Sequence, residues 1–324
     1  NMKKVAISIL FLVFNLTTVS AQYDIDFPKW YPETKFNALY VMCGDTTNEY
    51  VNTISDLVKK NWTLTPVYLI QRTDIAKRED LFVKGNLFLS VTSYNKTLTN
   101  SRGNVGSTND YFHLDIWSVK SEYKPGREWQ ELAFIIASAE LYNKTIGMGQ
   151  ISLESMGDFT SELFPNDFCN GKAGNIKNMI QYFNSAVKQN KTVKLLEDLE
   201  TASSIAKLKK ETLYLPNYWY GAKGTMIENE KPTSSDYKKT AEYIDKVVAS
   251  YHYNIKLVTR EELNDLILNA DKDLFYVNYI QSSADKIVSV VNGLNGEVIY
   301  SKSTKKSYRI KNGDLEDIAK AVDK

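Results

Sequence analysis

Cys43-Gly44-Asp45-Thr46 is the first group of residues whose types and spacing invite chemistry. It follows the apolar run Ala38 to Met42 and precedes a helical pattern, so a buried strand hands over there to a helix amino terminus. Ligands of open α/β sheets sit at such places. A thiol held at a helix amino terminus is acidified and can act as nucleophile or redox group. Two other fates are open to Cys43: an inert buried thiol, or a disulfide to Cys169, the second of the two cysteines. His113 and His252 are the two imidazoles on offer as partners, and neither stands in a recognisable motif.

The second candidate group is Tyr218-Trp219-Tyr220, at the end of another apolar run and followed by a loop to Ser235. Such rings stack on a sugar, a peptide or a nucleobase, or close over the end of their own core. The sequence carries no G-x-G-x-x-G, G-x-x-x-x-G-K-[ST], G-x-S-x-G or H-E-x-x-H, and no cysteine pair at metal spacing. No cofactor and no metal site are therefore expected. Glu261, Glu262, Asp271 and Asp273 read as solvated helix ends, and the basic run Lys302 to Arg309 as a strand edge protected against pairing.

Both candidate groups occupy matching places in a pattern that occurs twice. The first copy runs from Ala38 to Tyr94: a strand, a helical stripe (Tyr50, Val51, Ile54, Leu57, Val58) behind a Thr46/Glu49 capping box, a strand at Val67 to Ile70, a short helix from Asp74 and a strand at Leu87 to Tyr94. The second, Thr212 to Ile280, repeats that order, with Thr259 and Glu262 as its capping box. Each βαβαβ run implies parallel strands with right-handed crossovers. A fourth strand is expected at Tyr111 to Val119 after a polar loop, Asn95 to Asp110. Pro125-Gly126 then opens an expected helix with Trp129, Leu132, Ala133, Ile136, Ala137 and Leu141 on its apolar face. In the second copy, Ile287 to Val291 and Glu297 to Ser301 flank a hairpin turn, and Leu315, Ile318, Ala319 and Val322 line a closing helix behind Asp314.

The expected fold class is α/β: two similar α/β domains of βαβαβ, hairpin, helix order, each a mixed sheet with helices packed on it. Residues 37–150 and 211–324 form the two domains. Residues 151–210 connect them through an irregular stretch and two helices, one lined by Ile176, Met179, Ile180 and Phe183, the other by Leu195, Leu196, Leu199 and Ala206. The element order resembles the small α/β folds of anticodon-binding domains and of the amino-terminal domain of the periplasmic protein TolB, a resemblance without shared motifs that implies no function or site.

Met2, Lys3 and Lys4 precede an apolar run, Val5 to Phe14, and small residues end at Ala21, so residues 1–21 read as a signal peptide. Residues 22–36, with Phe27, Trp30 and Tyr31, read as an extended arm docking its aromatics on a domain. The chain has 40 basic and 39 acidic residues, 38 and 39 without Lys3 and Lys4, so it exerts no general pull on nucleic acid or anionic lipid. These observations point to an exported, soluble binding or interaction protein, periplasmic or extracellular, with a protein, peptide or glycan partner. A solute-binding protein closing two lobes on a small molecule is the alternative, and a thiol- or carboxylate-based hydrolase the third reading.

Overall fold

The computed structural model describes residues 23–27, 35–75, 77–99, 105–120, 133–146, 170–193, 198–216, 234–282, 285–305, 307 and 310–324. They form two six-stranded mixed sheets and seven helices. In the first sheet the strands are β1 (Tyr23–Ile25), β2 (Ala38–Cys43), β3 (Val67–Gln71), β4 (Asn86–Thr99), β5 (Val105–Val119) and β6 (Ala133–Ile146), ordered β1-β6-β5-β4-β2-β3. The second holds β7 (Leu199–Glu200), β8 (Leu213–Pro216), β9 (Ile255–Val258), β10 (Phe275–Ser282), β11 (Asp285–Asn292) and β12 (Val298–Thr304), ordered β7-β12-β11-β10-β8-β9. Strand for strand the two orders are the same. In both, the three strands of the βαβαβ run are parallel and the remaining pairings antiparallel.

Helix α1 (Glu49–Asn61) links β2 to β3, and α2 (Arg72–Ile75), with the 3-10 turn Glu79–Leu81, links β3 to β4. The first half closes with α3 (Ala173–Gln189). In the second half, α4 (Ala202–Ile205) and a 3-10 turn precede β8, while α5 (Ser234–Ala249), α6 (Arg260–Leu268) and α7 (Asn312–Asp323) stand where α1, α2 and α3 stand in the first. Among the described residues no helix is long and apolar enough to cross a membrane.

Helix α3 makes the two halves one body. A surface helix buries one stripe; α3 is buried almost all round its first two turns, from Ala173 to Ile180. Ile176, Met179, Ile180 and Phe183 enter a core that runs from the first sheet to Val258, Leu263, Ile267 and Tyr276 of the second half. The polar side chains of α3 serve the second half's backbone. Lys177 Nζ donates to the Ile267 carbonyl (2.7 Å), Asn178 Nδ2 to Gly293 O (3.0 Å) and Gln181 Nε2 to Leu294 O (3.1 Å). A second core, under α5 and α7 on the far side of the second sheet, holds Leu213, Val247, Phe275, Val290, Ile299, Leu315 and Ile318.

Four local expectations are corrected. The expected helix through Ala133, Ile136, Ala137 and Leu141 is strand β6, because pairing with β5 and β1 outweighs helix preference. Register shifts in the β5–β6 pairing leave Ile136 and Leu141 without a partner, and these bulged residues break the period-two alternation so that the apolar spacing mimics a helix. Most of the polar stretch Asn95 to Asp110 is strand too, since Asn95 pairs with Asp110 and Thr97 with Thr108. Leu199, expected in a helix, lies in β7, pairing with β12. Among the described residues β7 pairs only with Tyr300 and Ser301 of β12, and Lys302, beyond that pairing, is bonded to Asp317 (2.6 Å). Finally, α1 is capped by Asn48, whose Oδ1 accepts from the backbone N–H of Tyr50 (2.9 Å) and Val51 (3.2 Å), while the capping box at Thr259/Glu262 forms as expected.

Candidate functional site

At the carboxyl end of β2, Cys43 is 1% exposed and its thiol donates to the Ile70 carbonyl at 3.5 Å. Burial first, and then the Asp45 charge, push that thiol up to about 11, leaving ~10⁻⁴ of it as thiolate at pH 7. The acidification expected of a helix amino terminus is overridden by desolvation. Asp45 turns its Oδ1 to Thr47 N (2.8 Å) and Thr47 Oγ1 (2.7 Å), bonds that hold its carboxyl below the usual range. Thr46 Oγ1 accepts from Gln71 Nε2 (3.3 Å), and Gly44 is the bend between strand and loop. These four residues lie together, but their polar side chains are engaged with Thr47 and with strand β3. Cys169, Tyr218, Trp219 and Tyr220 lie outside the described residues.

Cross-strand register assembles a different set, on the sheet face turned away from α1 and α3. Tyr68 lies beside Tyr40, Tyr40 beside Phe88, Phe88 beside Trp117 and Trp117 beside Ile135, a straight row over five strands and about 19 Å. Tyr40 and Tyr68 stack with ring centroids 5.6 Å apart, and Phe82, from the segment after the 3-10 turn, leans on Phe88 at 5.6 Å. The ends of the row are open: Tyr68 is 51% and Ile135 40% exposed.

Further along β4, β5 and β6 the same face turns polar, while β2 and β3 continue it with Met42 and Ile70. Asp115, 1% exposed, accepts from Ser138 Oγ (2.5 Å) and from Thr92 Oγ1. Ser138 Oγ lies 2.9 Å from His113 Nδ1. Because the Ser138 proton is committed to Asp115, His113 Nδ1 is the donor of that pair. Ser138 is thus oriented towards a carboxylate and not activated by the imidazole, unlike the serine of a hydrolytic triad. Burial pushes the Asp115 carboxyl up to about 6, against the pull of its two hydroxyl donors, and pushes His113 down to about 4. Glu140, paired in register with His113, is also buried.

His113 was visible in the sequence as one of two imidazoles, while Asp115, Thr92 and Ser138 were not singled out. A signal existed in the alternation Phe88-x-Ser90-x-Thr92 and His113-x-Asp115-x-Trp117, but the helical reading of residues 133–141 hid its third strand, Ser138-x-Glu140.

The second half carries the same rows in the same register. Lys256, Tyr214, Tyr276, Val291 and Val298 answer the aromatic row, and Asn278, Ser289 and Ser301 answer Ser90, Asp115 and Ser138. There the face is sealed by α3, with the Tyr276 hydroxyl donating to Asn178 Oδ1 at 3.1 Å. Ser289 and Ser301 bond each other at 3.0 Å, and neither side-chain amide atom of the buried Asn278 has a partner among the described residues. Comparison with family models, with curated proteins and with solved structures finds no match for this chain.

Proposed function

We propose that this chain is an exported, non-catalytic binding or protein-interaction protein built from a duplicated α/β unit, and that its partner lies on the outer face of the first sheet. One observation carries the reading: the row Tyr68, Tyr40, Phe88, Trp117 and Ile135 ends in open side chains on the face that α3 covers in the second half. Flat aromatic faces supply contact area at little entropic cost and stack on protein, peptide or sugar surfaces. Shared strand order, matching rows and the aligned stretches Gly174-Asn175-Ile176 and Gly313-Asp314-Leu315 support the duplication. Export rests on residues 1–21.

The alternative, two lobes closing on a solute, needs a crevice between the halves. Helix α3 occupies that position and is bonded to the second half through Lys177 and Asn178 and to the first through Asn184, which accepts from Thr63 N (2.8 Å), and this favours the first reading. Thiol chemistry through Cys43 is disfavoured by its protonated, buried state. Peptide and glycan arrays probed with the parent chain and with Tyr68→Ala test the proposal. A binder that weakens about tenfold in the variant, or more, is the expected result. Equal binding by the two chains, or a substrate turned over, counts against it.

A further inference from the structure

The seam between the halves contains polar groups that no protein group answers. Asn278 is 2% exposed, and neither its Oδ1 nor its Nδ2 has a partner among the described residues. Exchanging the two atoms by a flip of the amide changes nothing, because both positions are unanswered. Asn170, also 2% exposed, donates through Nδ2 to the carbonyl of Tyr279, the residue next to Asn278 (3.3 Å), and its Oδ1 is left without a partner. The Asn170 backbone N–H bonds the Leu141 carbonyl of β6 (3.3 Å), so this residue ties one sheet to the other. Across from Asn278 on β11 stands Ser289, 1% exposed. Its bond with Ser301 uses one of the two hydroxyl protons, and the other is available to a further acceptor.

A hydrogen bond left unmade in an interior is costly, and buried amides are nearly always bonded. Two residues back along the same strands the face is apolar at Val291 and Val298, so an apolar side chain at position 278 would continue its neighbours. An amide belongs there only if something bonds it. The first half repeats the feature: Ser90, at the place matching Asn278, is 5% exposed, and its hydroxyl has no partner among the described residues.

The chemistry of the groups narrows what can answer them. Asn278, Asn170 and Ser289 are uncharged, offer donors and acceptors side by side, and are closed from solvent. Buried water meets those requirements, bonding on average about three polar groups that would otherwise be unsatisfied. We propose that the seam holds an internal water site, with at least one resident molecule bonded to the Asn278 amide and reaching Asn170 Oδ1 or the Ser289 hydroxyl. The second sheet is then joined to the segment leading into α3 partly through bound solvent.

A crystal structure at a resolution that shows ordered water tests the proposal. A fully occupied water within hydrogen-bond distance of the Asn278 amide is expected; an amide that is dry, or that bonds a protein group directly, overturns it. The site is also readable in solution by magnetic relaxation dispersion of water oxygen, which counts molecules held for longer than the protein takes to tumble. Asn278→Leu, similar in size and without polar atoms, should lose at least one such molecule and lower the urea midpoint, because Asn170 Oδ1 loses its partner. An unchanged count in the folded variant overturns the proposal. So does a raised urea midpoint, the result of deleting an amide that had been dry. If Asn278→Leu does not fold, the crystal structure of the parent decides alone.

Discussion

In the second half, the Tyr276 hydroxyl bonds Asn178 of α3, and Tyr276, Val291 and Val298 of its row are buried in the core that α3 enters, while Lys256 at the row's edge is exposed. In the first half, the matching Phe88 meets Phe82, while the outermost tyrosine of its row stands 51% exposed. The face thus packs on α3 in the second half, whereas in the first its centre, Phe88 and Asp115, is buried and its edges, Tyr68 and Ile135, are exposed. Burying a face requires every polar group on it to find a partner or be lost. Where the first half buries the Asp115 carboxylate with two hydroxyl donors, the second half has Ser289 bonded to Ser301. The opposite faces differ in the reverse sense. Under α7 the second half buries Lys286, 1% exposed and paired with Asp314, where the first half has Phe112 and Asn175.

That last difference supplies the largest expected effect. Asp314→Asn removes the carboxylate charge paired with the buried Lys286 ammonium, whose proton affinity burial has already lowered, and weakens the acceptor of Lys311 N (2.7 Å). A loss of about 3–5 kcal/mol is expected in urea unfolding, whereas Lys286→Met, which brings the site closer to the first half's apolar one, is expected to be near neutral or stabilising. Equal losses from the two changes would break the contrast.

Next comes the seam. Gly296 has φ 75°, and a Cβ there would lie 2.3 Å from the Asn178 carbonyl oxygen. Gly296→Ala is expected to cost about 3 kcal/mol by strain and by prising the β11–β12 turn off α3. If the halves are one body, a single cooperative transition shifts as a whole in this variant; loss of one half alone would show them to be independent.

The polar row gives a smaller effect, read against pH. The folded chain holds the Asp115 proton up to about pH 6, above its ordinary range near 3.8, so this group favours folding more as pH falls from 6 towards 4. His113, depressed to about 4 from 6.5, acts oppositely: its contribution is complete above pH 6.5 and is lost as pH falls. The two offset each other, and stability from this cluster is nearly flat between pH 6 and pH 4. In Asp115→Asn the histidine acts unopposed, and stability should fall by roughly 2 kcal/mol over that interval, the value reduced because His113 as a residue is only part-buried. His113→Gln should show the opposite slope. Ser289, at the matching place, titrates nothing, so Ser289→Ala should leave the pH profile unchanged. The smallest effect is a gain: Gly313→Ala, in open space on α7, should stabilise by up to about 1 kcal/mol.

How much of this could be read beforehand depends on the range of the forces involved. Strand β2, the stripe of α1, the capping box at Thr259 and the β11–β12 hairpin are written in residues a few positions apart, and each formed. Strand β6 was not legible, since its bulges at Ile136 and Leu141 give the spacing of a helix and only pairing with β5 decides between the two. The loop at Cys43 to Thr46 was correctly located, yet its chemistry depends on burial and on Ile70 and Gln71, which no local pattern reveals. The aromatic row was illegible for the same reason: Tyr68, Tyr40, Phe88 and Trp117 are brought into line by register between distant strands. That one helix would serve both sheets shows in α3 only as Lys177, Asn178 and Gln181 crowded beside its apolar stripe, a polar face that turned out to be an interior one.

Tyrosine footprinting tests the central contrast most directly. Tyr68 should be modified rapidly and Tyr276 hardly at all, and a binder found on the arrays should protect Tyr68 while leaving Tyr276 unchanged. Equal reactivity of the two tyrosines, or a Tyr68 that stays fully reactive with every array partner, would contradict the account.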